Sequence, residues 1–255
     1  MAVPQEYHSK QRRLIMIVSL SVASLLLLGL TQQPVLPVVP ETLSAVKQSV
    51  QQTFLPQPPR VGLQIGHLDP EEQPDELASL RYNTGGSAFG VNEVDINRST
   101  AYMLKDMLEF EGIEVDLLPA TMPANYHADL VIALHSDASP DVNRRGYKSA
   151  YFRYPRNKWE PELKKAIDQA YFFFSGLPDD DENVSGSMLE YYAFNRARYK
   201  HAVSRSTPAV IVEMGYISNE QDRDFLLDPV NPAYALKRGI LTYLAERGRY
   251  TFDDN

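Results

Sequence analysis

The sequence predicts an α/β domain preceded by a membrane-spanning segment. From Arg60 onward, short apolar runs alternate with segments of helical periodicity, which is the pattern of an α/β fold. Near the N-terminus, residues 14–30 form an uninterrupted apolar stretch. Hydrophobic residues make up 44% and charged residues 23% of the chain, values typical of a protein that packs a core.

The apolar stretch 14–30 predicts a transmembrane anchor. As a helix it would rise about 25 Å, close to the thickness of the hydrocarbon core. Lys10, Arg12 and Arg13 precede it and are expected to stay in the cytoplasm, so residues 1–13 form a cytoplasmic tail and the rest of the chain lies outside. Secretion after signal cleavage is the alternative, although the residues that follow the stretch make a poor cleavage site.

Residues 31–59 are interpreted as a proline-rich linker that holds a folded domain, residues 60–255, away from the membrane. Pro34, Pro37 and Pro40 open the segment, and further prolines close it. Proline-rich sequence is extended and semi-rigid, which suits a spacer.

The net charge and the absence of cysteine exclude several classes of protein. The chain has a formal net charge of -8, and its basic residues are scattered, so binding to nucleic acid is not expected. It has no cysteine, which excludes disulfides, thiolate metal sites and cysteine nucleophiles. Any metal site must therefore use His, Asp or Glu.

Within the domain, apolar runs and helical spacing predict the elements in order. Asn92 is expected to cap the long helix, and Gly112 to end it. The polar segment Leu177–Ser187, with four acidic residues in a row, is interpreted as a solvated insertion rather than a calcium loop or a lid. The predicted strands are Val61–Ile65, Ile113–Leu118, Asp129–Leu134 and Ala209–Val212, and the predicted helices are Asn92–Glu111, Trp159–Phe174 and about Ala233–Arg247.

Metal-competent side chains follow three of these strands. His67, His135 and Glu213 each come directly after an apolar run, and the carboxyl ends of parallel strands converge on one crevice. Glu93 opens the long helix and could face the same crevice. Two histidines, a carboxylate and an open position form a catalytic zinc set, and a further carboxylate can move the protons. Each residue alone also has an ordinary structural interpretation, so the pattern by itself leaves the choice open.

At these residues the chain resembles the zinc-dependent N-acetylmuramoyl-L-alanine amidases of the type-3 amidase family, over about Arg60 to Leu244. The resemblance implies a single domain with a twisted, mostly parallel sheet flanked by helices. It implies that His67, Glu93 and His135 bind zinc and that Glu213 is catalytic. The substrate would be the amide between N-acetylmuramic acid and L-alanine in peptidoglycan. The matching segments are Ile65–His67, Asn92–Asn97, Ala128–Asp137 and Ser206–Asn219.

Two other functions stay open at this point. The residues after His67, and the segment before Asp129, depart from the family pattern. These departures favour a zinc amidohydrolase that acts on another N-acyl amino acid or peptide amide. The third interpretation is a non-catalytic domain that binds the cell envelope, which the joint presence of both histidines and both glutamates makes less attractive.

Overall fold

The computed structural model describes residues 57–252. The predicted cytoplasmic tail (1–13), the predicted membrane segment (14–30) and the linker up to residue 56 lie outside the described residues, as do residues 253–255. Between residues 57 and 252, no helix has the length and the apolar character needed to cross a bilayer.

Short strands and longer helices alternate along the described chain. The strands are β1 (Arg60–Ile65), β2 (Ser87–Ala88), β3 (Val91–Asn92), β4 (Glu114–Leu118), β5 (Leu130–Asp137), β6 (Lys148–Ala150) and β7 (Ala209–Tyr216). The α-helices are α1 (Glu93–Phe110), α2 (Glu160–Ser175), α3 (Gly186–Leu189), α4 (Glu220–Leu227) and α5 (Val230–Glu246). Four 3-10 turns complete them: Pro70–Glu72, Asp75–Leu80, Asp181–Asn183 and Tyr192–Phe194.

Five of the strands form one sheet in the order β4-β1-β5-β7-β6. All pairs are parallel except β6 with β7, so the prediction of a mostly parallel sheet is confirmed. The antiparallel edge strand β6 was not predicted, because three residues that begin with a lysine carry no strand signal.

The two faces of the sheet are covered differently. On one face, helices α1, α2 and α5 pack on alternate strand residues, and in β5 these are Leu130, Ile132 and Leu134. The other face, to which Val131 belongs, packs against the segment 186–203, which contains only the short helix α3 and a 3-10 turn. The expectation that helices flank the sheet is confirmed, with long helices on one face and only short helical segments on the other.

Most predicted elements are confirmed with shifted ends. Strands β5 and β7 continue past the predicted ends, so His135 and Glu213 lie inside strands and not after them. Asn92 occupies the N-cap position of α1, but its side chain donates to Asp95 (3.0 Å) and caps no backbone N–H. Gly112, with φ of 76°, follows the end of α1 as predicted.

The interpretation of Leu177–Ser187 as a solvated insertion is wrong for Asp180 and Asp181, whereas Asp179 and Glu182 are exposed as expected. Asp180 is 7% exposed and accepts a hydrogen bond from the Tyr216 hydroxyl at 2.6 Å. It also lies 3.6 Å from the ammonium of Lys148, which is 3% exposed. Asp181 accepts from Lys164 at 2.6 Å. A buried lysine needs carboxylate partners, and this loop supplies one beside Asp137, whose carboxylate lies 2.6 Å from the same ammonium.

Candidate metal centre

His67 lies just beyond the carboxyl end of β1, in a left-handed backbone conformation with φ of 63°. Such a conformation is unfavourable for a residue with a side chain and is found mainly where the surrounding structure requires it. The Nδ1 atom of His67 lies 3.0 Å from the carbonyl oxygen of Asn83. Because a carbonyl can only accept, Nδ1 carries the proton and Nε2 faces the site with its lone pair.

Glu93 is the first residue of α1 and is 6% exposed. Its Oε1 atom lies 3.2 Å from Nε2 of His67 and 2.9 Å from Nδ1 of His135. Its Oε2 atom accepts from the backbone N–H of Gly86 at 2.8 Å. Burial acts to raise the pKa of Glu93, but the hydrogen bonds and charges of the two histidines outweigh it and hold the pKa well below its usual range.

His135 lies within β5 on the face covered by the segment 186–203, and it is 6% exposed. The chain passes very close to its ring, since a Cβ atom on Gly66 would lie 2.5 Å from Cε1 of the imidazole. Only glycine leaves room for the ring at this point. The backbone that follows β1 therefore forms one wall of the space that His135 occupies.

The three side chains His67, Glu93 and His135 bring one ligand atom each to within 4.8 Å of one another, a spacing that a metal ion could bridge. Two imidazole nitrogens and one carboxylate oxygen form a donor set that fits zinc, with positions left open for substrate. The donor set and its convergence thus suit a metal centre.

Glu213 is the register partner of His135 on the adjacent strand, so the two side chains project from the same face of the sheet. Its Oε2 atom is buried and has no hydrogen-bond partner among the described residues. Burial, followed by the negative charges of Glu93 and Asp137, raises the pKa of Glu213 well above its ordinary value. A cation bound at the three ligands would act in the opposite direction and favour the charged carboxylate.

A cavity of about 470 Å³ opens over these residues. His67, Glu93, His135 and Glu213 all line it, so the structure brings together every site residue that the sequence predicted. Its walls come from the segment that follows β1 and from the segment 186–199. Such a cavity can hold a small portion of a larger molecule beside the four polar groups.

Sequence reasoning missed several residues that hold the site in place. Asn97 donates to the carbonyl oxygen of Gly66 at 3.3 Å and accepts from Ser136 at 3.1 Å, which ties α1 to β1 and β5. Its spacing of four residues from Glu93 on one helix face was an available signal. Tyr191, whose hydroxyl lies 3.0 Å from Nε2 of His135, gave no such signal because the contact spans 56 residues of sequence.

Comparison with known proteins gives one consistent group of matches. A family model described as N-acetylmuramoyl-L-alanine amidase matches residues 63–242. A search of curated proteins finds no match.

Among solved structures, the catalytic domain of an N-acetylmuramoyl-L-alanine amidase from Bacillus (Paenibacillus) polymyxa var. colistinus is similar, with a TM-score of 0.53 and 19% identity over 73% of this chain and 98% of that one. An N-acetylmuramyl-L-alanine amidase from Mycobacterium smegmatis has a TM-score of 0.54 and 18% identity over 73% of this chain and 97% of its own. One from Clostridium difficile 630 has a TM-score of 0.52 and 14% identity over 75% and 100%. At these identities the likeness establishes the fold.

Proposed function

Because the chain belongs to the type-3 N-acetylmuramoyl-L-alanine amidase family, we propose that it is a zinc-dependent hydrolase of peptidoglycan. The bond cleaved is the amide between the lactyl group of N-acetylmuramic acid and L-alanine. The observation that carries the proposal is the convergence of His67, Glu93 and His135, with Glu213 beside them, in a single cavity.

In this proposal His67 and His135 hold the zinc through the ring nitrogens that face Glu93, and Glu93 supplies the third ligand. When bound, zinc acts as a Lewis acid that polarises a carbonyl oxygen and makes water acidic enough to ionise near neutral pH. The carbonyl of Asn83 keeps the proton of His67 on the nitrogen that points away from the site. The N–H of Gly86 fixes the orientation of the Glu93 carboxylate.

Glu213 is proposed to move the proton that hydrolysis requires. Its carboxylate removes a proton from water as the water oxygen bonds to the lactyl carbonyl carbon, and it passes that proton to the nitrogen of L-alanine as the C–N bond breaks. Oε2 of Glu213 has no partner among the described residues, so it is available for this exchange. The position of Glu213 opposite His135 in the β5–β7 register supports the role.

Peptidoglycan lies outside the cytoplasmic membrane, so the enzyme would act on the cell-wall side. We retain residues 14–30 as an uncleaved anchor, residues 1–13 as a cytoplasmic tail and residues 31–59 as a linker to the catalytic domain, 60–255. Membrane fractionation and the N-terminal sequence of the mature protein test this arrangement. A mature chain that begins after residue 30 and is recovered in the soluble fraction would contradict it and support secretion.

The function is tested on the full chain in two steps. First, mass spectrometry of the purified protein should find about one zinc ion per chain, and His67→Ala should lose it. Second, purified peptidoglycan should release free L-alanine amino groups, whereas Glu213→Gln should keep the zinc and lose turnover. Hydrolysis of small N-acyl amino acids without activity on peptidoglycan would show that the substrate is another amide. Failure to bind zinc would contradict the proposal that the chain is a zinc-dependent hydrolase.

A further inference from the structure

The second histidine of the metal centre contacts a tyrosine through the ring nitrogen that does not face Glu93. Nε2 of His135 lies 3.0 Å from the hydroxyl of Tyr191, and the two rings meet edge to face at 88° with centroids 5.6 Å apart. Tyr191 is 7% exposed and His135 6%, so water has little access to this contact. The other ring nitrogen of His135, Nδ1, faces Glu93 at 2.9 Å.

The arrangement matches the one at the first histidine. His67 presents Nε2 to Glu93, and its Nδ1–H donates to the carbonyl of Asn83. In each case one nitrogen points to the ligand position and the other to a fixed oxygen. A partner on the far nitrogen selects the tautomer and the ring orientation of a metal-binding histidine.

The surroundings of Tyr191 allow its oxygen to accept a hydrogen bond from His135. The hydroxyl of the next residue, Tyr192, lies 2.6 Å from the carbonyl oxygen of Ala120 and must donate to it. The Tyr191 hydroxyl interacts with that of Tyr192 as well, so its proton has a possible partner other than His135. A histidine that binds a metal through Nδ1 carries its proton on Nε2, so with zinc at the ligand position the Tyr191 oxygen accepts from Nε2–H of His135.

Tyr191 is itself held firmly. Its N–H donates to the carbonyl of Met188, and its carbonyl accepts from the N–H of Phe194 at 3.0 Å. Its ring packs against that of Phe194 with centroids 5.1 Å apart, within the apolar cluster that also contains Met188. These contacts fix the position of the hydroxyl beside His135.

We propose that Tyr191 is a positioning residue for the metal centre, which accepts a hydrogen bond from His135 and so sets the affinity of the site for zinc. The inference rests on the proposed function, because it takes His67, Glu93 and His135 as the ligands. It adds a residue from the segment 186–203, which otherwise covers one face of the sheet and lines the cavity.

The test compares zinc affinity in Tyr191→Phe and Tyr147→Phe, measured on the full chain by competition with a chromogenic chelator. Tyr191→Phe removes only the oxygen and should raise the zinc Kd about 10-fold or more. Tyr147 is the matched control, since it is fully buried and its hydroxyl donates to Asp168 at 3.0 Å, away from the cavity. Tyr147→Phe should lower the Tm and leave the zinc Kd within about 2-fold of the unmodified protein.

The outcomes separate this inference from the function. An unchanged zinc Kd in Tyr191→Phe, in a chain that binds zinc and cleaves peptidoglycan, overturns the inference and leaves the function standing. An unmodified chain that binds no zinc overturns both. If Tyr191→Phe does not fold, 15N NMR of the zinc-loaded, histidine-labelled protein decides: a proton on Nε2 of His135 supports the inference, and a proton on Nδ1 refutes it.

Discussion

Replacing Gly66 with alanine should disable the metal centre without touching any ligand. The new Cβ would lie 2.5 Å from Cε1, 2.6 Å from Nε2 and 2.7 Å from Nδ1 of the His135 ring. Carbon atoms in contact prefer a separation of about 3.5 Å or more, so the ring must move by about 1 Å. Metal–ligand distances tolerate changes of only about 0.2 Å.

A displacement of this size should weaken zinc binding by about 100-fold or more, which is about 2.8 kcal/mol at 1.4 kcal/mol per tenfold. It would also break the contact between His135 and Tyr191. The assay is zinc titration of the full chain against a competing chelator, with circular dichroism to check that the fold is retained. Gly112→Ala is the control, because Gly112 has a positive φ of 76° and open space around it. That variant should lose stability and keep its zinc affinity.

The reasoning is refuted if Gly66→Ala binds zinc within about 3-fold of the unmodified chain while remaining folded. That result would mean that the backbone at the end of β1 can move away from the ring. The close contact between the Gly66 backbone and the His135 ring would then have no bearing on metal binding.

The remaining predictions concern proton transfer, a buried lysine, acid stability and metal removal. Glu213→Gln should lower kcat by about 100-fold to 10,000-fold at unchanged zinc content, as measured by release of amino groups from peptidoglycan. Lys148→Met should lower the free energy of unfolding, measured in urea, by about 3–5 kcal/mol, because it leaves buried carboxylates such as Asp180 without their cation. Adding Asp180→Asn should recover part of this loss. The backbone N–H groups of Lys200 and then His201 lower the pKa of Glu76 from 4.5 to about 2, so this carboxylate stabilises the fold above pH 4.5 and less as the pH falls towards 2. The stability difference between the unmodified chain and Glu76→Gln should therefore shrink over that range; a constant difference would contradict the assignment. Chelation should lower the Tm, and added zinc should restore it.

The parts of the fold that the sequence predicted are those with a strong local signal. The apolar runs of β5 and β7 are buried along their length, so their composition identified them and led directly to His135 and Glu213. Glu93 needed the resemblance as well, since a carboxylate in the first turn of a helix is common for electrostatic reasons alone.

The parts that sequence reasoning missed depend on contacts between distant segments. Glu76 binds the N–H of Lys200 across 124 residues of sequence, and no local pattern predicts such a pairing. Lys148 is of a residue type that favours the surface, and its burial becomes clear only once β6 is seen to pair with β7 opposite Glu213. In both cases the residue type suggested exposure, and the tertiary partner explains the burial or the fixed position.

The unequal covering of the sheet gives the two sides of the domain different tasks. Helices α1, α2 and α5 bury one face through regular packing, so that side forms the stable core of the domain. The segment 186–203 on the other face is irregular, and it shapes the cavity. Changes of length or sequence in that segment could alter which substrates the cavity admits without disturbing the helical core. Substrate selectivity could thus evolve or be engineered through the segment 186–203 at little cost to the stability of the fold.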